Sequence, residues 1–132
     1  MEQYSKRRVP RLLRALAAAA GVVLLVIGLR FLLTPELATR TFGLGSKPTA
    51  AALDAVIGLR DLWLAGLAIA FAVLREWRAL ALWLLRGTGV CFGDALVVAS
   101  QGGPWPALAF HAVSGLFCAG LGWRCWRLAR RL

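Results

Sequence analysis

The chain is poor in polar side chains, and in acidic ones above all. It has six Asp and Glu residues and one His in 132 residues, whereas 60% of its residues are hydrophobic. Soluble domains are roughly 45–50% apolar, so this composition excludes an ordinary soluble domain and favours a membrane protein. No long polar segment separates the apolar stretches, and we therefore expect residues 1–132 to form a single membrane domain.

Cysteine and histidine are also scarce, which argues against a metal or redox centre. Cys91, Cys118 and Cys125 lie in apolar segments or at their ends, and no two have CxxC spacing. Free cysteine in such surroundings usually behaves as a small hydrophobe, which disfavours a disulfide-exchange enzyme. One histidine beside carboxylates in lipid makes a poor transition-metal site. We predict no metal and no cofactor.

The net charge of +10 can indicate nucleic-acid binding, but the positions of the basic residues do not. They stand at the ends of the apolar segments: Lys6, Arg7, Arg8, Arg11 and Arg14 at the start, Arg75 and Arg78 in a short loop, and Arg124, Arg127, Arg130 and Arg131 at the end. Flanking positions of this kind favour contact with anionic membrane lipids. We expect no nucleic-acid partner.

Four apolar segments are long enough to cross a bilayer, which takes about 20 residues. They run from about 12 to 33, 49 to 74, 80 to 99 and 107 to 123. The first has the basic head of a secretory signal, but no small-x-small cleavage site follows it, so we expect it to be retained. The predicted fold class is all-α, an integral membrane four-helix bundle. The first loop, 34–47, is expected to hold a short interfacial helix.

The basic residues also predict the orientation of the bundle. Eleven flank the spans on one side, whereas the other side has Arg40 and Lys47. By the positive-inside rule, the N-terminus and the C-terminus are cytoplasmic. Low lysine beside abundant arginine, alanine and glycine suggests a GC-rich bacterial genome, and hence a multi-pass protein of a bacterial inner (plasma) membrane. Small-residue pairs such as Ala17/Gly21 favour close helix packing within the bundle or in a homodimer.

Ionisable residues recur inside the spans, where they are costly unless they face a partner or a cavity. They are Arg30 in the first span, Asp54, Arg60 and Asp61 in the second, Arg86 and Asp94 in the third, and His111 in the fourth. A rise of about 1.5 Å per residue places Arg60 and Asp61 near mid-depth and Arg30, Asp54, Asp94 and His111 in the outer half. One shared site is geometrically feasible.

Helical periodicity relates the polar residues of the second span. Asp54 and Asp61 are seven residues apart and lie on one face, with Gly58 between them leaving room for a neighbouring helix. Arg60 lies about 100° round the helix from Asp61, so we expect it to point toward a different neighbour. Trp63 lies deep in the same span, where packing is favoured over ligand binding.

Two short segments carry a resemblance to a known family: Gly-Leu-Arg-Asp-Leu at 58–62 and Gly-Asp-Ala at 93–95, followed by His111. With 28–31 and 41–44, they resemble a family of small four-helix membrane proteins catalogued as a domain of unknown function, DUF4267, and broadly akin to DoxX-like proteins. The resemblance covers about 28 to 119. It implies the fold and supports Arg60, Asp61, Asp94 and His111 as site residues, but it implies no reaction.

The favoured function is an enzyme that acts on a lipophilic small molecule by acid–base chemistry. Apolar surroundings favour the neutral form of a carboxyl group, whereas a nearby guanidinium favours the ionised form. Two aspartates in different surroundings can therefore serve as acid and base. That suits opening or cyclising an epoxide, which we favour, or shifting a double bond. The predicted catalytic residues are Asp61, Asp94, Arg60 and His111, and the predicted substrate-binding residues are Arg30, Asp54, Trp63 and Ser114.

Three alternatives stay open at this point. The first alternative is a non-enzymatic accessory subunit or lipid-binding scaffold of a membrane complex, as DoxX-like kinship suggests. Proton-coupled transport is disfavoured, because the first span lacks the acidic residue of small multidrug transporters. The third alternative is that the charged groups pair with each other only to hold the bundle together. Against it, buried ion pairs bring little net stability over apolar residues of similar size.

Overall fold

The computed structural model describes residues 2–44 and 51–131, and this part of the chain is helical apart from short turns. The helices are α1 (Glu2–Leu33), α2 (Pro35–Phe42), α3 (Ala51–Leu74), α4 (Trp77–Ser100) and α5 (Trp105–Ala129). Within the described residues, four segments are long and apolar enough to cross a membrane: Pro10–Leu33, Ala52–Leu74, Trp77–Ser100 and Trp105–Ala129. The predicted all-α membrane bundle is confirmed. Residues 45–47 of the predicted first loop and 49–50 of the predicted second span lie outside the described residues.

The spanning helices pack as two pairs, α1 with α3 and α4 with α5. Glycines let α1 and α3 approach closely, since a β-carbon added at Gly28 would lie 2.9 Å from the Gly58 carbonyl oxygen. Two turns earlier in α1, a β-carbon added at Gly21 would lie 3.3 Å from the Ala65 carbonyl oxygen and 3.3 Å from the Ala68 β-carbon. The room that Gly58 was expected to leave is therefore filled by α1.

The two pairs join at the end of the bundle that holds both chain termini, the predicted cytoplasmic end. Residues from all four spanning helices form one hydrophobic core there: Leu13, Ala17, Ala72, Trp77, Leu80, Ala81, Leu84, Leu121, Cys125 and Ala129. Leu80, Leu84 and Cys125 are fully buried. This end of the bundle is closed by apolar packing.

Helix α2 lies across the opposite, predicted outer end. Pro35 begins it, and Gly43 ends it in a left-handed conformation with φ of 105°, which a glycine adopts without strain. Gly43 also abuts α4 and α5, because a β-carbon there would lie 2.7 Å from the β-carbon of Ala107 and 2.8 Å from Val98. The short helix expected in the first loop is present, and it connects the two helix pairs.

Between these two closed ends, α3 and α4 contact each other little. A β-carbon built on Gly87 or Gly93 of α4 would meet nothing within 4 Å. The intramembrane ionisable residues lie at this loosely packed level.

Candidate functional site

Asp61 is buried on the face of α3 that packs against α1. Asp61 is 5% exposed. A β-carbon added at Gly28 of α1 would lie 3.1 Å from the Asp61 β-carbon. Its Oδ1 accepts hydrogen bonds from Arg60 Nε at 3.1 Å and Arg60 Nη2 at 3.0 Å. The buried carboxylate therefore has a cationic partner at its own depth in the membrane, which lowers the cost of burying it.

The prediction that Arg60 points toward a different neighbour from Asp61 is wrong. The Arg60 backbone position lies round the helix from Asp61, but the guanidinium turns back to form an ion pair with the Asp61 carboxylate. A long side chain reaches a group about 100° away, which periodicity of the Cα positions does not capture. The Arg60 side chain stays 52% exposed, so its remaining donors stay accessible.

The Arg60 position also faces the second helix pair. Phe71 lies eleven residues further along α3, about three full turns, and it packs against the hydrophobic core that all four spanning helices form. Arg60 also lies within electrostatic range of Asp94 on α4. A single guanidinium can bind Asp61 and act across the gap between the pairs.

Asp94 of α4 completes the link across this gap. It is half-buried, and it lies within electrostatic range of the side chains of His111, Arg60 and Asp61. These groups come from three helices, α3, α4 and α5. All four predicted catalytic residues therefore lie within electrostatic reach of one carboxyl group.

His111 is held in place by α2. It is 6% exposed, its ring centroid lies 4.5 Å from that of Phe42, and Phe110 packs edge-on at 5.6 Å. Nε2 lies 3.2 Å from the Phe42 carbonyl oxygen. Because a carbonyl can only accept, Nε2 carries a proton and donates it, which leaves Nδ1 as the basic nitrogen of the neutral ring.

Asp54 and Arg30 belong to the contacts of α2. Asp54 is 4% exposed, and its Oδ1 accepts a long hydrogen bond of 3.5 Å from Thr39 Oγ1. Arg30 Nη2 donates to Thr41 Oγ1 at 2.9 Å. These two residues thus bind α2 to the ends of α1 and α3, next to the cluster.

Comparison with known proteins identifies the family of this chain. Residues 21–125 match the family model of a domain of unknown function, DUF4267. The chain belongs to the DUF4267 family. No curated protein and no solved structure matches it. The kinship with DoxX-like proteins stays a prediction, and the function has to be argued from the site.

The structure of this DUF4267 protein does not bring every predicted residue to the cluster. Trp63 is 67% exposed and lies on the outside of the bundle. Arg86 is likewise exposed on α4. Ser114 is half-buried one turn from His111, so it lies on the side of α5 that carries the imidazole. We therefore define the acid–base cluster as Arg60, Asp61, Asp94 and His111.

Two features of the DUF4267 site were missed by sequence reasoning. The first is the role of α2, whose Thr39 and Phe42 bind Asp54 and His111; the only sequence signal was the family resemblance at 41–44. The second is the contact between Cys91 and Cys118, which lie far apart in the chain. Nothing in the local sequence pattern indicates that second contact.

The donor atoms of the DUF4267 cluster do not form a metal site. Across 2–44 and 51–131, no group of three or more His, Cys, Asp or Glu side chains is arranged to hold a metal ion. A cavity of about 380 Å³ opens elsewhere, at the outer surface, lined by Thr34, Pro35, Glu36, Leu37 and Arg40. None of the four cluster residues lines it, so we assign it no part in the chemistry below.

Proposed function

We propose that this DUF4267 protein is an enzyme of the bacterial inner membrane that acts on a lipophilic small molecule by acid–base chemistry. Its catalytic residues are those of the acid–base cluster, Arg60, Asp61, Asp94 and His111. The observation that carries the proposal is that Asp94 lies within electrostatic range of ionisable groups on two other helices. Four neighbouring ionisable groups inside a small bundle are a costly way to gain stability alone.

The two carboxyl groups have different partners and take different roles. Arg60 donates two hydrogen bonds to Asp61, and hydrogen bonds of this kind favour the ionised form. Asp94 faces an imidazole, a guanidinium and a second carboxyl group. Pairs of acids with unlike surroundings supply one general base and one general acid, so we assign Asp61 as the base and Asp94 as the acid.

Opening of an epoxide is the reaction that this arrangement suits best. Asp94 donates its proton to the epoxide oxygen as the carbon–oxygen bond breaks. Asp61 accepts a proton from the water, or from the substrate hydroxyl, whose oxygen forms the new bond to carbon. Arg60 binds Asp61 within electrostatic range of Asp94. His111 takes up the proton that Asp61 has gained and returns it to Asp94, which restores the starting state. An intermolecular attack gives a diol, and an intramolecular one gives a cyclic ether.

The substrate reaches the cluster from the bilayer in this proposal. The Arg60 side chain is 52% exposed at mid-span, and α3 and α4 contact each other little. A lipophilic molecule dissolved in the hydrocarbon region therefore has a lateral route to the cluster that a water-soluble molecule lacks. Apolar surroundings also strengthen the charge interactions that would stabilise the transition state.

The test is diol formation by the purified protein in lipid nanodiscs. The probe is 1,2-epoxyhexadecane in ¹⁸O-labelled water, and the product is analysed by mass spectrometry. We expect one ¹⁸O atom per diol, and a fall in turnover of about 100-fold or more in Asp61→Asn and Asp94→Asn. The matched control is Glu76→Gln, an exposed acid in the turn before α4, which should turn over normally. Undiminished turnover in either Asn variant would refute the assignment.

A second candidate function rests on a different observation. Arg86 is exposed within the span of α4, where a charge in contact with lipid is unfavourable and a partner protein would cover it. This favours an accessory subunit of a membrane complex. It predicts that a defined membrane partner copurifies in equal amount with the wild type and with Asp94→Asn, but not with Arg86→Leu.

A further inference from the structure

Cys91 of α4 and Cys118 of α5 face each other across the interface between these helices. α4 and α5 form one of the two closely packed helix pairs, and α1 and α3 form the other. A β-carbon added at Gly115 would lie only 3.3 Å from the β-carbon of Cys91. Cys118 follows Gly115 by one helical turn and lies on the same side of α5. The two thiol groups lie within interaction range of each other. Close backbones and facing side chains are what a disulfide requires.

The two thiols also differ from the third cysteine. Cys91 and Cys118 are half-buried, whereas Cys125 is fully buried in the core at the predicted cytoplasmic end. All three are free. The pair therefore retains access to the bilayer, and Cys125 provides an internal reference thiol in the same chain.

The thiol pair lies beside the acid–base cluster. Cys91 is three residues from Asp94 on α4, so both side chains lie on the same side of that helix. Cys118 is seven residues, about two turns, from His111 on α5. A bond between the two sulfur atoms would join the two helices that carry Asp94 and His111.

We propose that Cys91 and Cys118 form a redox-active dithiol within the membrane, which a lipid-soluble quinone oxidises reversibly to a disulfide. The two S–H bonds break and one S–S bond forms. Two electrons and two protons pass to the quinone, which becomes the quinol. A quinone is the fitting oxidant because both thiols lie inside the spanning segments, where water-soluble oxidants partition poorly. This inference is independent of the acid–base reaction.

The test counts thiols in the full-length protein in nanodiscs after treatment with decylubiquinone. The sample is denatured and labelled with a maleimide-polyethylene glycol, and each free thiol adds one increment of mass on a gel. The reduced protein should take three labels. After the quinone it should take one, on Cys125, with one quinone reduced per chain and a Cys91–Cys118 cross-linked peptide found by mass spectrometry. Dithiothreitol should restore three labels.

Single variants separate the proposed disulfide from other thiol losses. Cys91→Ser and Cys118→Ser should each keep both remaining thiols free after the quinone, whereas Cys125→Ser should lose both of its thiols. Three labels on the wild type after quinone treatment would overturn the proposal. So would an equal loss of label in Cys118→Ser, because that would mean a quinone adduct or a bond between chains. Diol formation is not measured here, so the two proposals fail separately.

Discussion

Two contacts with Phe42 hold the imidazole of His111 in place. The Phe42 ring packs against it at 4.5 Å with the two planes tilted by 59°, and the Phe42 carbonyl oxygen accepts a hydrogen bond from Nε2 at 3.2 Å. Both contacts come from the end of α2, so the position of the imidazole on α5 depends on a short helix far away in the chain. The nitrogen that stays available for proton exchange is Nδ1.

Replacing His111 by Phe separates the ring from its chemistry. The phenyl ring of His111→Phe keeps the contact with Phe42 but cannot donate to the Phe42 carbonyl. We expect the free energy of unfolding to fall by about 1–3 kcal/mol, the cost of an unsatisfied buried acceptor, and epoxide turnover to fall by about 100-fold. Denaturant unfolding and the ¹⁸O diol assay measure the two effects. Val113→Leu, at an exposed residue of α5, is the control; wild-type turnover in His111→Phe would exclude a catalytic imidazole.

Arg60 and Asp61 illustrate how far residue-level prediction reaches. Their residue types and depth predicted that both belong to a site, and the structure pairs them with each other in an ion pair. Helical phase gave the direction of the Arg60 Cα–Cβ bond but not the end of a long, flexible side chain. An attraction between opposite charges in a medium of low dielectric decides that end point, and it lies outside any periodicity argument.

The α1–α3 pair shows what periodicity predicts well. The buried residues of α3 recur every three or four positions: Asp54, Gly58, Asp61, Ala65, Ala68 and Ala72. That spacing marks one face of a helix, so the shared face of Asp54 and Asp61 was predictable. Small residues on this face set a short distance between the helices, and Asp61 is thereby enclosed beside Gly28.

A methyl group at the α1–α3 crossing should disrupt both packing and site. In Gly28→Ala the new carbon would meet the Gly58 oxygen at 2.9 Å and the Leu62 nitrogen at 3.0 Å, and backbone atoms cannot move aside as a flexible side chain does. We expect the protein to lose about 1–3 kcal/mol of stability from overpacking. Thermal unfolding in detergent, followed by circular dichroism, measures the change.

Gly66→Ala is the matched control for that prediction. Gly66 lies on the exposed side of α3, and a β-carbon there would meet nothing within 4 Å. Alanine should leave the unfolding temperature unchanged or raise it, since it is the better helix former by up to about 1 kcal/mol. Equal losses in Gly28→Ala and Gly66→Ala would mean that the crossing is not closely packed.

Which helices pair was not predictable from the sequence. All four spans are apolar and of similar length, so their composition does not distinguish α1–α3 pairing from other arrangements. The contact between Cys91 and Cys118 depends on the register of α4 against α5, which is set by the packing of Gly115 and Gly122. Local spacing rules for cysteine pairs examine one segment at a time and therefore miss it.

At the scale of the whole molecule, the bundle is closed at both ends and loosely packed between them. The hydrophobic core joins all four spanning helices at one end, and α2 connects both pairs at the other through Gly43. The acid–base cluster lies between these two closures. Such an arrangement favours approach of a lipophilic substrate from the bilayer, through the gap between α3 and α4, over approach from either end of the bundle, as the proposed reaction supposes.

The two closures can be assigned to the two sides of the membrane by fusion experiments. Four crossings place both termini on one side, and eleven basic residues flank the spans there against two opposite. By the positive-inside rule, a fluorescent protein fused after residue 132 should fluoresce in a bacterial host, whereas alkaline phosphatase fused at that position should be inactive. Alkaline phosphatase inserted at Gly102, in the turn between α4 and α5, should be active. Active phosphatase at the C-terminus would reverse the orientation, and would place α2 and the closure over His111 on the cytoplasmic side.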